Sequence, residues 1–99
     1  MEIGQKVVCI NDVFTHPNTH IHFQNLPKYG VTYTIRELTY VQLNNTHRVL
    51  LEEIRNRKIY MEILMGKVEP AFDAKRFVPL DEWELMESEL DKLVEPVTV

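Results

Sequence analysis

Val31, Tyr33 and Ile35 alternate with Thr32, Thr34 and Arg36, a period of two that only an extended strand with one wet and one buried face turns to use. Gly30 supplies a turn just ahead of it, and residues 49–54, Val49-Leu50-Leu51-Glu52-Glu53-Ile54, offer a second apolar stretch to pair with. A chain that opens its middle third this way is read as a sheet protein, and the other elements are fitted around that strand.

The sequence has 99 residues, enough for one domain that buries roughly 60 to 65% of its unfolded surface without a metal or cross-link. The single Cys9 has no intrachain partner, no basic-apolar-small order of a leader is seen at the start, and the longest apolar run is only residues 7–10. A reducing, cytoplasmic setting without a membrane span is the expectation. The net charge of −4 is unevenly placed: residues 1–80 carry ten Lys/Arg against eight Asp/Glu, and residues 81–99 one against seven. That distribution argues against a chain-wide basic footprint and leaves room for a local patch.

Residues 5–10 read as a first strand with both faces apolar, one toward the interior and one covered, as by the C-terminal helix. Asn11-Asp12 end it. Residues 13–29 read as a long loop held down by Phe14, Phe23 and Leu26, with an extended piece over 20–23. The central strand runs over 31–43 and reverses at Asn44-Asn45; the return strand over 49–54 needs a bulge near Glu52-Glu53. Residues 58–64 read as the third strand of a meander or, alternatively, a short helix, closed by Gly66. Residues 74–78 form a last strand with Phe77 as a core anchor. Asp81, at capping-box spacing from Glu84, opens a helix to about Val94, stopped by Glu95-Pro96. Its stripe of Trp83, Met86, Leu90 and Leu93 demands burial.

The expected fold is mainly β: a small SH3-like β-barrel of about five strands over residues 1–80, with a C-terminal amphipathic α-helix over 81–95, one domain in all. Three segments sharpen this. Tyr33-Thr34-Ile35-Arg36-Glu37, Leu50-Leu51-Glu52-Glu53-Ile54 and Glu69-Pro70-Ala71-Phe72-Asp73-Ala74-Lys75-Arg76-Phe77-Val78-Pro79-Leu80 together resemble a family of small, functionally unassigned SH3-like barrel proteins of bacteria and their phages. The resemblance spans roughly residues 5–80 and implies a fold, not an activity; the histidine loop and the acidic helix lie outside its pattern.

Three groups of residues carry candidate chemistry. His16, His20 and His22 could hold a metal ion if His20 and His22 sit two apart on an extended segment and His16 folds over them; the plainer reading is three solvated loop histidines. Arg55, Arg57 and Lys58 form a basic turn that Lys75 and Arg76 could approach, and with Tyr40 and Tyr60 they would make a phosphate-and-stacking surface for RNA or single-stranded DNA; the plainer reading is a solvated hairpin tip. Glu52 and Glu53 are adjacent on a strand and so point to opposite faces, which rules them out as an acid and base pair. Glu53 is expected to be held by Arg36 or Arg76. Cys9 reads as a small buried hydrophobe, and no glycine-rich phosphate loop is present.

No cofactor is therefore expected, and no enzymatic activity. The leading expectation is a binding or accessory module with a protein partner, acting through a loop and a barrel edge and compatible with a homodimer. Nucleic-acid binding through the basic hairpin is the alternative, and a metal-dependent site at the histidine loop the third. The acidic-aromatic first loop and exposed Trp of peptide-binding SH3 domains are missing, so proline-rich ligands are not expected.

Overall fold

The computed structural model describes the backbone of residues 1–62 and 65–93 and the side chains of 1–62 and 65–89. Among these, the strands are β1 (Lys6–Cys9), β2 (Thr32–Val41), β3 (Thr46–Leu51), β4 (Ile59–Met61), β5 (Gly66–Val68), β6 (Phe72–Asp73) and β7 (Phe77–Pro79). The helices are α1 (Thr19–His22) and α2 (Leu80–Leu93). Five strands make one antiparallel sheet in the order β6-β3-β2-β1-β7, and β4 pairs with β5 alone. The sheet's two edge strands are consecutive in the chain, joined only by a single 3-10 turn, Ala74–Arg76, so the sheet must curl until its edges nearly meet. This gives a small barrel-like β fold with one C-terminal helix; among the described residues no ladder joins β6 to β7.

The alternation of β2 does what its spacing requires: Tyr33 and Ile35 enter a core with Val7, Cys9, Val49, Leu51, Ile54, Phe72 and Phe77. Val31 is the exception, since it lies one residue ahead of the strand and is exposed. Both faces of β1 are buried. Val7 and Cys9 point into the core, Val8 points away, and α2 lies against β1 and β7. The loop over 13–29 is pinned as expected by Phe14, Phe23 and Leu26, which pack on the core.

Several sequence expectations are corrected. The bulge lies in β2, between Ile35 and Glu37, and not at Glu52-Glu53. The return strand ends at Leu51, and Ile54 reaches the core from the following loop. Residues 59–61 are strand, but they pair with β5 in a separate hairpin instead of extending a meander. Met65 takes the turn with φ 51° and Gly66 starts β5. Ile63 and Leu64 lie outside the described residues. Residues 74–76 are a 3-10 turn, started by the Asp73 carboxylate accepting from the Lys75 backbone N–H at 2.9 Å. The C-terminal helix begins one residue early, which puts Asp81 in its first turn, where it accepts from the Glu82 N–H. Of the helix stripe, Trp83 is half-buried edge-on against Tyr29, whereas Met86 is 47% exposed. The side chains of Leu90 and Leu93, and the helix end at Val94 and Pro96, lie outside the described residues.

The reversal at Asn44-Asn45 is a 3-10 turn over Gln42–Asn44 followed by Asn45 in the left-handed region, φ 52° and ψ 40°. Asn tolerates that conformation better than other residues with a Cβ. Asn45→Ala is expected to cost about 1 kcal/mol in urea unfolding and Asn45→Gly less, because glycine carries no steric penalty there.

Candidate functional site

The β2–β3 hairpin brings Tyr40 opposite His47 across the reversal, and the two rings stand 4.8 Å apart at a tilt. The Tyr40 hydroxyl donates to the Asn45 side-chain carbonyl. With Leu38, Thr39, Met1 and the segment Asp73-Ala74-Lys75, these residues line an open groove of about 530 Å³. Two features of the backbone shape it. The ladder of β3 with β6 covers only Arg48↔Asp73 and Val49↔Phe72, and the chain then leaves the sheet through the 3-10 turn. Toward the hairpin tip, Thr46 and His47 thus have no ladder partner on that side among the described residues. The groove holds the exposed Tyr40 ring, the His47 imidazole, the Asp73 carboxylate and the Lys75 ammonium group.

The basic and aromatic candidates are split by the fold. Tyr40 and Lys75 line this groove; Arg55, Arg57, Lys58 and Tyr60 do not. Arg76 is committed elsewhere: its guanidinium stacks 3.9 Å over the Phe14 ring and donates to the Asn11 and Val13 carbonyls. Arg55 makes an exposed 3.4 Å ion pair with Glu52, while the Arg57 backbone N–H donates to the Gln24 side chain. Of the seven residues of the nucleic-acid surface expected from sequence, the groove brings together Tyr40 and Lys75. His47 and Asn45 were missed, because counting across Asn44-Asn45 as a two-residue turn pairs His47 with Gln42, and only the four-residue reversal over 42–45 brings it opposite Tyr40.

The histidines do not converge. His20 and His22 stand on the helical turn α1 and not on an extended segment, and residues two apart on a helix point about 200° from one another. The His16 Nδ1 accepts from the Asn18 backbone N–H at 3.1 Å, and the His22 Nδ1 is buried without a hydrogen-bond partner among the described residues. Among the described residues no group of three His, Cys, Asp or Glu side chains is placed to hold a metal ion.

The remaining titratable residues serve the fold. Arg36 is the extra residue of the β2 bulge. Its Nε donates to the Leu51 carbonyl at 3.0 Å, its Nη2 to the Ile54 carbonyl at 3.3 Å and to Glu69 at 2.7 Å. Glu69, and neither Glu52 nor Glu53, is its partner. The same Glu69 oxygen accepts the Asn56 N–H at 3.1 Å, and Asn56 exchanges two hydrogen bonds with the Asn25 backbone, so one network ties the long loop, the 52–57 turn and the bulge together. Burial pushes the Cys9 thiol up, and its Sγ donates to the Asn11 carbonyl, as suits a packing residue.

Glu53 is held by Thr34, not by an arginine. Burial raises its carboxyl, but the Thr34 backbone N–H and hydroxyl, at 2.7 and 2.9 Å, with Lys6 nearby, outweigh that and hold it below the usual glutamate range. A carboxylate depressed in the folded state stabilises it above the unfolded pKa, and that contribution is lost as pH falls through the folded one. Thr34→Val removes the hydroxyl donor. NMR titration of the Glu53 side chain is expected to show its pKa rising toward the ordinary value, and the share of stability lost on acidification should shrink.

Among the described residues no helix is long and apolar enough to cross a membrane. No protein-family model, curated protein or solved structure matches the chain.

Proposed function

We propose that the chain is a non-enzymatic binding module that takes an extended segment of a protein partner into the groove between the β2–β3 hairpin and the 3-10 turn. The observation that supports it is that, among the described residues, Thr46 and His47 of β3 have no ladder partner on the side of the 3-10 turn, beside the Tyr40–His47 pair. An extended peptide can add to a strand by main-chain hydrogen bonds while its alternate side chains settle on the rings. Asp73 and Lys75 line the groove together, a mixed-charge wall that suits a polar peptide better than the one-signed track a phosphate chain needs. The reading includes membership of the small SH3-like barrel proteins that the sequence resembles, and a reducing cytoplasmic setting, in keeping with the buried free Cys9.

A random peptide phage library panned on the protein is expected to enrich binders. Synthetic versions should bind Tyr40→Ala and Lys75→Ala at least about tenfold more weakly, a loss of roughly 1.4 kcal/mol or more. Failure to enrich any peptide, together with tight binding of a thymidine 20-mer at low salt, would overturn this reading in favour of the second, nucleic-acid binding through Arg55, Arg57, Lys58 and Tyr60. What favours that second reading is the exposed Tyr60 standing directly opposite Lys67 in the β4–β5 hairpin.

A further inference from the structure

Two exposed features outside the groove match one another. Glu82, Leu85, Met86 and Glu89, spaced three, four and seven apart, run along one line of α2. All four are exposed, Leu85 at 65%. On the β4–β5 hairpin, Lys67 lies directly opposite Tyr60, so their side chains share a face, and Lys58 stands two residues ahead of Tyr60 at the strand's entry. These three are exposed too, Tyr60 at 62%. The helix thus presents an apolar centre with a carboxylate at either end, and the hairpin an aromatic ring with one ammonium group along its strand and another across the ladder. Glu82 and Glu89 are about 10 Å apart along the helix axis, a span within reach of Lys58 and Lys67, whose backbones lie on a diagonal of roughly 8 Å, one along the strand from Tyr60 and one across the ladder.

Among the described residues no ion pair joins the two features within one chain. The helix lies against β1 and β7, and the ion pairs among the described residues are Arg36–Glu69 and Arg55–Glu52, neither of which involves these groups. Positions 81–91 carry six acidic residues and no basic one, so whatever covers this helix face must bring cations around an apolar patch. Every copy of the chain carries such a surface. We propose that the β4–β5 hairpin of one copy receives α2 of a second copy, Tyr60 packing on Leu85 and Met86 while Lys58 and Lys67 pair with Glu82 and Glu89. Two such contacts exchanged about a twofold axis close a dimer. The groove at Tyr40 and His47 plays no part in this contact, so the two assignments fail independently.

Sedimentation velocity across a concentration series reads the outcome. The wild-type protein is expected to associate, more strongly at low than at high salt. The variants Lys58→Glu/Lys67→Glu and Glu82→Lys/Glu89→Lys are each expected to associate at least about tenfold more weakly, because each faces like charge with like. Mixed in equal amounts, the two variants should associate again, since each then supplies the charge the other lacks. Circular dichroism checks that both variants are folded; all four positions are at the surface. A wild-type protein that stays monomeric throughout, association that neither reversal weakens, or a mixture that does not recover it would overturn the proposal. So would a monomer whose hairpin instead binds a thymidine 20-mer and loses it in Lys58→Glu/Lys67→Glu.

Discussion

Replacing Phe72 with alanine is expected to remove about 4 kcal/mol of stability, measured by urea unfolding. Phe72 is 3% exposed. Its ring is stacked at 5.0 Å on Phe23 and meets Phe14 and Phe77 edge-on at 6.3 and 6.4 Å. It therefore joins three parts of the molecule: the long loop through Phe14 and Phe23, β3 through the Val49 pairing, and β7 through Phe77. The cavity left by truncation cannot be filled from β3, whose backbone is fixed by its ladder with β2, so the loop side must give. Hydrogen exchange in Phe72→Ala is expected to show residues 13–29 losing protection well before the β1–β2–β3 ladder does. Phe72→Leu, which keeps most of the volume, should lose less than half as much. Equal loss of protection in the loop and the ladder would show that the loop is not separately anchored by this ring.

Glu69→Ala is the second large effect, at about 3 kcal/mol. Both side chains of the Arg36–Glu69 pair are only 12% exposed. Removing the carboxylate leaves the guanidinium with two carbonyl acceptors and no counter-charge, and it strips the Asn56 N–H of its acceptor as well. Arg36→Met/Glu69→Leu removes both charges together and is expected to be less damaging than Glu69→Ala alone, because no unpaired charge stays in the interior. A loss below about 1 kcal/mol for Glu69→Ala would mean that the pair behaves as an exposed one. Against a total of roughly 5 to 15 kcal/mol for a domain of this kind, either substitution takes a large share.

The strands with clean alternation were legible from the sequence, and so was the loop's anchoring by Phe14, Phe23 and Leu26. Period-two patterning survives wherever one face is buried, as at Tyr33 and Ile35. What escaped has a common cause, namely structure too short to show a period or set by distant partners. Four residues cannot display a helical repeat, so α1 looked extended from His20 onward. The offset of Ile54 from Val49 and Leu51 suggested a bulge, yet it arises because the strand stops and the loop returns to the core. Arg36 was paired by nearness in the pattern with Glu53, while the bulge turns it toward Glu69, 33 positions further along. The Asp73 signal for a 3-10 turn was present in the sequence and was read through as strand. Of the groove residues, Tyr40 and Lys75 are visible from their chemistry, but as members of an expected nucleic-acid surface and not of a peptide groove. Their company with His47 and Asn45 depended on the reversal and on where β6 ends, neither of which a local motif encodes.

The position of β1 between β2 and β7 has a bearing on how the chain comes into being. Lys6–Cys9 leaves a ribosome well ahead of its second neighbour, Phe77–Pro79, which lies at the far end of the sheet's chain order. A nascent chain must hold the apolar residues Val7, Val8 and Cys9 without their final cover until Phe77–Pro79 has emerged, and a truncation ahead of Phe77 would strand them permanently.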